Sequence, residues 1–144
     1  VGGADGWGRG GEQAPMNARG FWKMDLVNYP YDDLAPRIQA ARQKTGLAGY
    51  AQECQRRLLR ENGVSLHTSP EFVTNAFILT EVFKDILEEA GADAITVNSC
   101  MGTIMPMSQT TACLPLSLLN DAGYLAFCES DFVVIPSGVL LHYI

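Results

Sequence analysis

Two acidic residues, Glu129 and Asp131, directly follow a short apolar run that begins at Tyr124. A run of this kind predicts a buried strand that delivers acids to its carboxyl end. Ligands of open α/β sheets bind at that end of the strands, where a carboxylate can hold a metal ion or move a proton. The alternative interpretation is that both acids cap a following helix through residues 132–134, because acidic side chains favour helix amino ends.

A second predicted strand, over residues 93–98, ends in a similar way, with Asn98 at its end and Cys100 just beyond it. A strand–helix–strand unit is parallel, so both strand ends are expected at one edge of the sheet. Asn98 and Cys100 are therefore candidates to line the same pocket as Glu129. A nucleophilic Cys100 would need a neighbouring base, and the sequence shows none. A structural or pocket-lining Cys100 is the simpler interpretation.

The order of motifs around Glu129 resembles the central domain of the L-fucose/L-arabinose isomerase-like sugar isomerases. The motifs are a helix end at residues 118–123, a short strand, and the Cys-Glu-Ser-Asp sequence at residues 128–131. The resemblance is most specific over residues 93–144. It implies that Glu129 ligates a catalytic divalent metal, Mn²⁺ or another such as Mg²⁺, and serves in acid–base catalysis through an enediol. It implies a small sugar substrate and no organic cofactor. Asp131 is interpreted as a supporting or capping residue, because two residues that lie two positions apart at a strand end need not converge on one ligand.

The resemblance also implies further metal ligands, an Asp and a His, that the sequence up to Ile144 does not supply. His67 and His142 form no ligand-like spacing with their neighbours and are interpreted as structural. We therefore expect this chain to be one portion of a larger multidomain isomerase, inactive by itself.

Charge and composition argue against nucleic-acid and membrane partners. A net charge of −6 argues against nucleic acid, whose phosphates require clustered Lys and Arg. Hydrophobic residues at 47% and charged residues at 18% are typical of a globular protein, and no apolar run suits a membrane. The four cysteines, which lack metal-site spacing, are interpreted as reduced thiols of a cytoplasmic protein, three of them in apolar surroundings. The apolar carboxyl end favours a homo-oligomer.

The remaining pattern predicts one α/β domain with a Rossmann-like parallel sheet flanked by helices. Residues 1–31 form a glycine-rich loop region, residues 32–91 are mainly helical, and residues 92–144 form the strand–helix–strand–helix unit. The predicted helices cover residues 32–45, 47–61, 70–90 and 108–120. The third has Ser69 as its cap and Gly91 as its end, and the fourth is interrupted near Pro115.

Two other functions remain open. One fold hosts many functions, so a non-catalytic carbohydrate- or metabolite-binding relative is the first alternative. The second is a Rossmann-like nucleotide-binding enzyme, because Gly6, Gly8 and Gly11 match the letters of a dinucleotide fingerprint. That fingerprint also needs a helix opening within it, and no helical pattern is predicted before Pro30. A mobile loop with Trp7, Phe21 and Trp22 as anchors is the alternative interpretation of this segment.

Overall fold

A computed structural model of the chain describes residues 1–5 and 10–144. Its regular elements are seven α-helices, one π-helical turn and two strands within those residues. They are α1 (Gln13–Gly20), α2 (Tyr31–Gln43), α3 (Thr45–Leu58), α4 (Pro70–Ala90), β1 (Ala94–Val97), the π-helical turn (Cys100–Ile104), α5 (Met105–Ser108), α6 (Cys113–Asp121), β2 (Leu125–Cys128) and α7 (Ile135–His142).

Helix α4 is the centre of the fold. Ser69 caps its amino end by accepting a hydrogen bond from the Glu71 amide at 3.3 Å, and Pro70 occupies the first helical position. Gly91 ends the helix in the left-handed conformation, with φ of 59°. The predicted start and end of this helix are confirmed, because both signals are local and agree with the apolar period between them.

The main core forms where α4 packs against α2, α3 and α6. Its largest fully buried side chains include Leu34 and Ile38 on α2, Phe83 on α4 and Leu119 on α6. This burial supplies the apolar contact that holds the helices on one side of the sheet.

Strands β1 and β2 pair in parallel, with Ala94 opposite Leu125 and Val97 opposite Cys128. Alternate residues face opposite sides of the sheet. Ile95, Val97 and Ala126 join the main core, whereas Phe127 packs in a smaller cluster with residues of α1 and α7. Helices therefore cover both faces, and the α/β class is confirmed.

The first residues of the chain also pair with β1. The Val1 amino group donates to the Thr96 carbonyl at 2.7 Å, and the Asn98 amide donates to the Val1 carbonyl at 2.9 Å. This alternation is the hydrogen-bond pattern of a parallel ladder. Further along, Asp5 forms a parallel bridge with Asp131. The segment thus passes from one edge of β1 to the carboxyl end of β2.

Two expectations about secondary structure within residues 1–120 were wrong. The predicted loop at residues 1–31 contains helix α1, which buries Ala14 and Ala18 against Phe132 and Ile135. Its apolar period is weak because small alanines form the buried face. The predicted helix at residues 108–120 begins at Cys113, and the segment before it forms the π-helical turn and α5. Gln109, with φ of 51°, ends α5 and separates the two helices.

Gly138 is required for the contact between α7 and β2. A Cβ atom at this position would lie 2.5 Å from the Phe127 ring. We expect Gly138→Ala to lower the free energy of unfolding by about 1–3 kcal/mol, because the crowded ring must shift. Gly49→Ala is the matched control, since Gly49 is an exposed position within α3 with open space around it. Gly49→Ala should raise the free energy of unfolding by about 0.5–1 kcal/mol, because Ala favours the helical conformation more than Gly does. Urea denaturation measures both, and equal effects would contradict the packing argument.

Candidate functional site

Strained backbone marks both strand ends. Ser99 beyond β1 and Glu129 and Ser130 beyond β2 all have positive φ, of 48°, 63° and 48°. The left-handed conformation costs about 1–2 kcal/mol for a residue with a Cβ atom, so the surrounding contacts must hold these residues there. The Ser130 amide donates to Thr96 Oγ1 at 3.0 Å, and the Thr103 amide donates to the Ser99 carbonyl at 2.9 Å. Such strain is concentrated at functional sites in many proteins.

The parallel register brings the two strand ends together, as the sequence predicts. Because Val97 pairs with Cys128, Asn98 and Glu129 are the next residues on neighbouring strands. The negative charge of Glu129 is close enough to raise the pKa of the Cys100 thiol, after the larger effect of burial. Glu129 is half-buried, so its carboxylate remains open to a ligand at this edge. We call Asn98, Cys100 and Glu129, with the side chains that contact them, the carboxyl-edge cluster.

Tyr31 belongs to this cluster, although no sequence motif singles it out. Its hydroxyl donates a hydrogen bond to the Asn98 carbonyl. Burial first, and then the charges of Cys100 and Glu129, raise the pKa of this phenol. The backbone of Gly2 passes so close to the Tyr31 ring that a Cβ atom there would overlap it. Only the tertiary packing of α2, which contacts α3, α4 and α5, places this hydroxyl at the strand ends.

Asn98 takes part through its backbone. Its carbonyl accepts from Tyr31, and its amide donates to Val1. Both main-chain groups are therefore used in positioning the edge, and the Asn98 side chain is the part that a ligand could contact.

Asp131 makes hydrogen bonds within the turn that follows β2. Its Oδ1 accepts a hydrogen bond from the Val133 amide at 3.0 Å, and its carbonyl accepts from the Val134 and Ile135 amides. The carboxylate thus caps the turn that leads into α7. The expected helix through residues 132–134 is corrected to this turn, because regular helix begins only at Ile135.

Three cysteines come together at this edge. Cys100 is buried, and its Sγ accepts a hydrogen bond from the Ala112 amide at 3.2 Å. Cys113 and Cys128 are exposed, which corrects the expectation that three of the four cysteines lie in apolar surroundings. The Cys128 thiol donates to Glu129 Oε1 at 3.6 Å. Their wide spacing in sequence gave no signal for this clustering.

The two histidines take no part in the carboxyl-edge cluster. His67 Nε2 lies 2.9 Å from Ser65 Oγ in an exposed loop. The His142 ring contacts the Tyr143 ring edge-on, with 5.0 Å between centroids. The structural role of both histidines stays a prediction.

The donor set for a metal ion is limited. Within residues 1–5 and 10–144, no three His, Cys, Asp or Glu side chains are grouped so that they could hold one. Glu129 provides a single carboxylate, and the Asp131 carboxylate caps its own turn. The described residues therefore do not form a complete site for Mn²⁺ or Mg²⁺, which need several oxygen ligands.

A cleft of about 640 Å³ lies on the face of the sheet that carries Phe127. Most of its lining is apolar, from β1, β2, α7 and the segment at residues 24–29, with Arg19, Asp25 and Asp93 as its charged residues. Glu129 and Cys100 do not line it. We therefore place the candidate chemistry at the carboxyl edge, where Glu129 lies beside the thiol groups.

The pKa of the Cys128 thiol depends on the charge of Glu129. Desolvation and then the Glu129 carboxylate raise its pKa to about 11. Because only the thiolate is alkylated, we expect iodoacetamide to modify Cys128 slowly at pH 8 and about tenfold faster per pH unit up to about pH 11. In Glu129→Gln the reaction at pH 8 should be faster, since the like charge is removed. Mass spectrometry of the modified peptide measures the rate, and a plateau near pH 9 would contradict this arrangement.

Comparisons of the chain with protein-family models, curated proteins and solved structures find no match. Among the helices that the structure describes, none combines the length and hydropathy that crossing a membrane requires.

Proposed function

We propose that the carboxyl edge of the sheet is part of the active site of an aldose–ketose sugar isomerase, with Glu129 as its acid–base group. The observation that carries the proposal is the conformation of Glu129, a left-handed residue held at the end of β2 beside the end of β1. Its half-buried carboxylate is at the place where ligands of α/β sheets bind. The motif resemblance over residues 93–144 supports the same reaction.

The wider fold proposed for this site is a Rossmann-like sheet. Its support is the parallel pairing of β1 with β2 and the ladder contacts of Val1 on the other side of β1. In such a sheet the carboxyl ends of successive strands form one continuous ligand-binding edge.

The isomerisation requires that a proton leave one carbon of the sugar and return to its neighbour. A carboxylate such as Glu129 can accept and return this proton if it lies within hydrogen-bond reach of both carbons. Asn98 and Tyr31 offer polar groups nearby for the sugar hydroxyls. A bound divalent metal would supply stabilisation of the enediol charge. Glu129 is one candidate ligand for it, and the proposal requires further ligands from beyond the described residues.

The surroundings of this reaction are also part of the proposal. Reduced thiols at Cys100, Cys113 and Cys128 suit a reducing compartment such as the cytoplasm. Exposed apolar side chains near the carboxyl end, including Leu141 at 72% and Ile144 at 91% exposure, favour a homo-oligomer.

A nucleotide-binding function has one observation in its favour. Helix α1 begins two residues after Gly11, so a helix does follow the glycine pattern. Gly6, Trp7 and Gly8 lie outside the described residues. The support for nucleotide binding is therefore the position of α1 after Gly11 and the sequence pattern alone. We treat this function as an outcome to be tested.

The experiment is an assay of the full natural protein that contains this chain. Pentoses and 6-deoxyhexoses would be supplied after chelation, with and without added Mn²⁺, and aldose–ketose conversion followed by chromatography. Metal-dependent conversion is the expected result. Sugar binding without conversion by a folded, metal-loaded protein would instead indicate a non-catalytic relative. Binding of NAD or another nucleotide, with no sugar binding, would favour the glycine-loop enzyme.

A further inference from the structure

We propose that Cys100 and Cys113 form an oxidation-sensitive thiol pair, which a peroxide converts to a disulfide at the rim of the carboxyl-edge cluster. This inference concerns a modification site, and formation of the disulfide does not depend on the proposed isomerase activity.

The positions of the two residues make the pair possible. Cys100 is the first residue of the π-helical turn, and Cys113 is the first residue of α6. The Sγ atom of Cys100 lies 3.2 Å from the amide nitrogen of Ala112, the residue directly before Cys113. The Cys113 thiol is near enough to Cys100 to contribute, after burial, to the raised pKa of the Cys100 thiol. Cys100 and Ala112 are 12 positions apart in sequence and hydrogen-bonded in the structure. Folding therefore already brings the two thiols together, and the disulfide adds little further cost of loop closure.

The two thiols differ in solvent exposure, and this difference indicates which one reacts with the peroxide first. Cys113 is exposed, whereas Cys100 is only 2% exposed. A peroxide in solution therefore reaches Cys113 first. Burial also raises the pKa of Cys100, so this thiol is a poor first target.

The chemistry balances with a peroxide as the oxidant. The Cys113 thiolate attacks one peroxide oxygen, the O–O bond breaks, and Cys113 sulfenic acid and water (for hydrogen peroxide) result after proton transfer. Cys100 sulfur then attacks the sulfenic sulfur, the S–O bond breaks, and a second water leaves with the Cys100 proton. Two thiols lose two electrons and two protons, and the peroxide is reduced.

The other two cysteines are weaker candidates. The Cys128 thiol donates to Glu129, and its pKa of about 11 leaves little thiolate at neutral pH. Cys54 lies on α3 and interacts with Tyr50. The predicted disulfide is therefore specific, and Cys54 and Cys128 should remain as thiols.

A direct test is to treat the reduced protein with a small excess of hydrogen peroxide, block free thiols with an alkylating agent, and map the disulfide by mass spectrometry. No Lys or Arg occurs after Lys84, so trypsin would leave all three clustered cysteines in one peptide. Pepsin at low pH cleaves between them and suppresses thiol exchange. The expected product is a dithiothreitol-sensitive peptide pair joining Cys100 to Cys113.

Two variants make the assignment sharper. Cys113→Ser changes an exposed side chain and should abolish the cross-link while leaving Cys100 as a free thiol. Cys128→Ser is the matched control and should leave the cross-link unchanged. A cross-link from Cys113 to Cys128, or over-oxidation of Cys113 with Cys100 still reduced, would overturn the proposal. Because the readout is a peptide and not turnover, its failure is distinct from failure of the isomerase assignment.

Discussion

Under the proposed isomerase function, replacing Glu129 by Gln is expected to lower the kcat of the full natural protein for aldose–ketose conversion by about 100-fold or more, the range that a positioned acid–base group contributes. Gln keeps the size of the side chain and the same backbone strain but cannot accept the substrate proton. The change also removes the one carboxylate that the described part of the edge offers to a metal ion. Steady-state kinetics with the preferred sugar, at saturating Mn²⁺, measures the effect.

The matched control for this variant is Asp93→Asn. Asp93 directly precedes β1, at the opposite edge of the same sheet, and the substitution removes the same charge. Its kcat should stay within about twofold of the parent, because exposed charges distant from a site are largely screened by salt. The free energy of unfolding of Glu129→Gln should stay within about 0.5 kcal/mol of the parent value, as is usual for substitutions that leave the packing intact. Full turnover by folded Glu129→Gln would remove Glu129 from the mechanism.

The largest stability effect is expected for Phe83→Ala. Phe83 is fully buried in the main core, where α4 contacts α2, α3 and α6. Truncating a buried Phe costs about 3–5 kcal/mol, because transfer energy is lost and a cavity remains. That loss is a large part of the stability of a domain of this size. Urea denaturation followed by circular dichroism would show an early transition or an unfolded protein.

Phe72→Ala is the control on the same helix. Phe72 belongs to the same apolar sequence pattern but is 46% exposed near the start of α4. Its truncation should cost less than about 1.5 kcal/mol, since less apolar area returns to water. Equal losses for the two variants would mean that α4 does not present the face to the core that the structure gives it.

The contrast between these two phenylalanines illustrates how far the sequence predicts the fold. The apolar period identifies α4 and its ends, because helix propensity, the Ser69 cap and Gly91 are local signals that agree. The period places both Phe72 and Phe83 among apolar positions and does not rank their burial. Burial depends on which other helices cover each turn, and α2, α3 and α6 meet α4 through contacts distant in sequence.

The candidate site divides in a similar way. The sequence predicted that the strand ends with Asn98 and Glu129 would share an edge, because a strand–helix–strand unit is parallel, and the register confirms it. Tyr31 was missed because it comes from a helix about a hundred residues before Glu129. The thiol cluster was missed because Cys100, Cys113 and Cys128 have no motif spacing.

By itself the sequence determined the α/β class, the extent of the longest helix and the presence of an acid after a buried strand. These follow from period, capping and polarity, which act over a few neighbouring residues. Only the tertiary structure decided that α1 forms on small alanines, that Asp131 caps its own turn, and that Cys100 lies beside Cys113. Each of these depends on packing between distant segments, where the free energy of burial and of long-range hydrogen bonds overrides local preference.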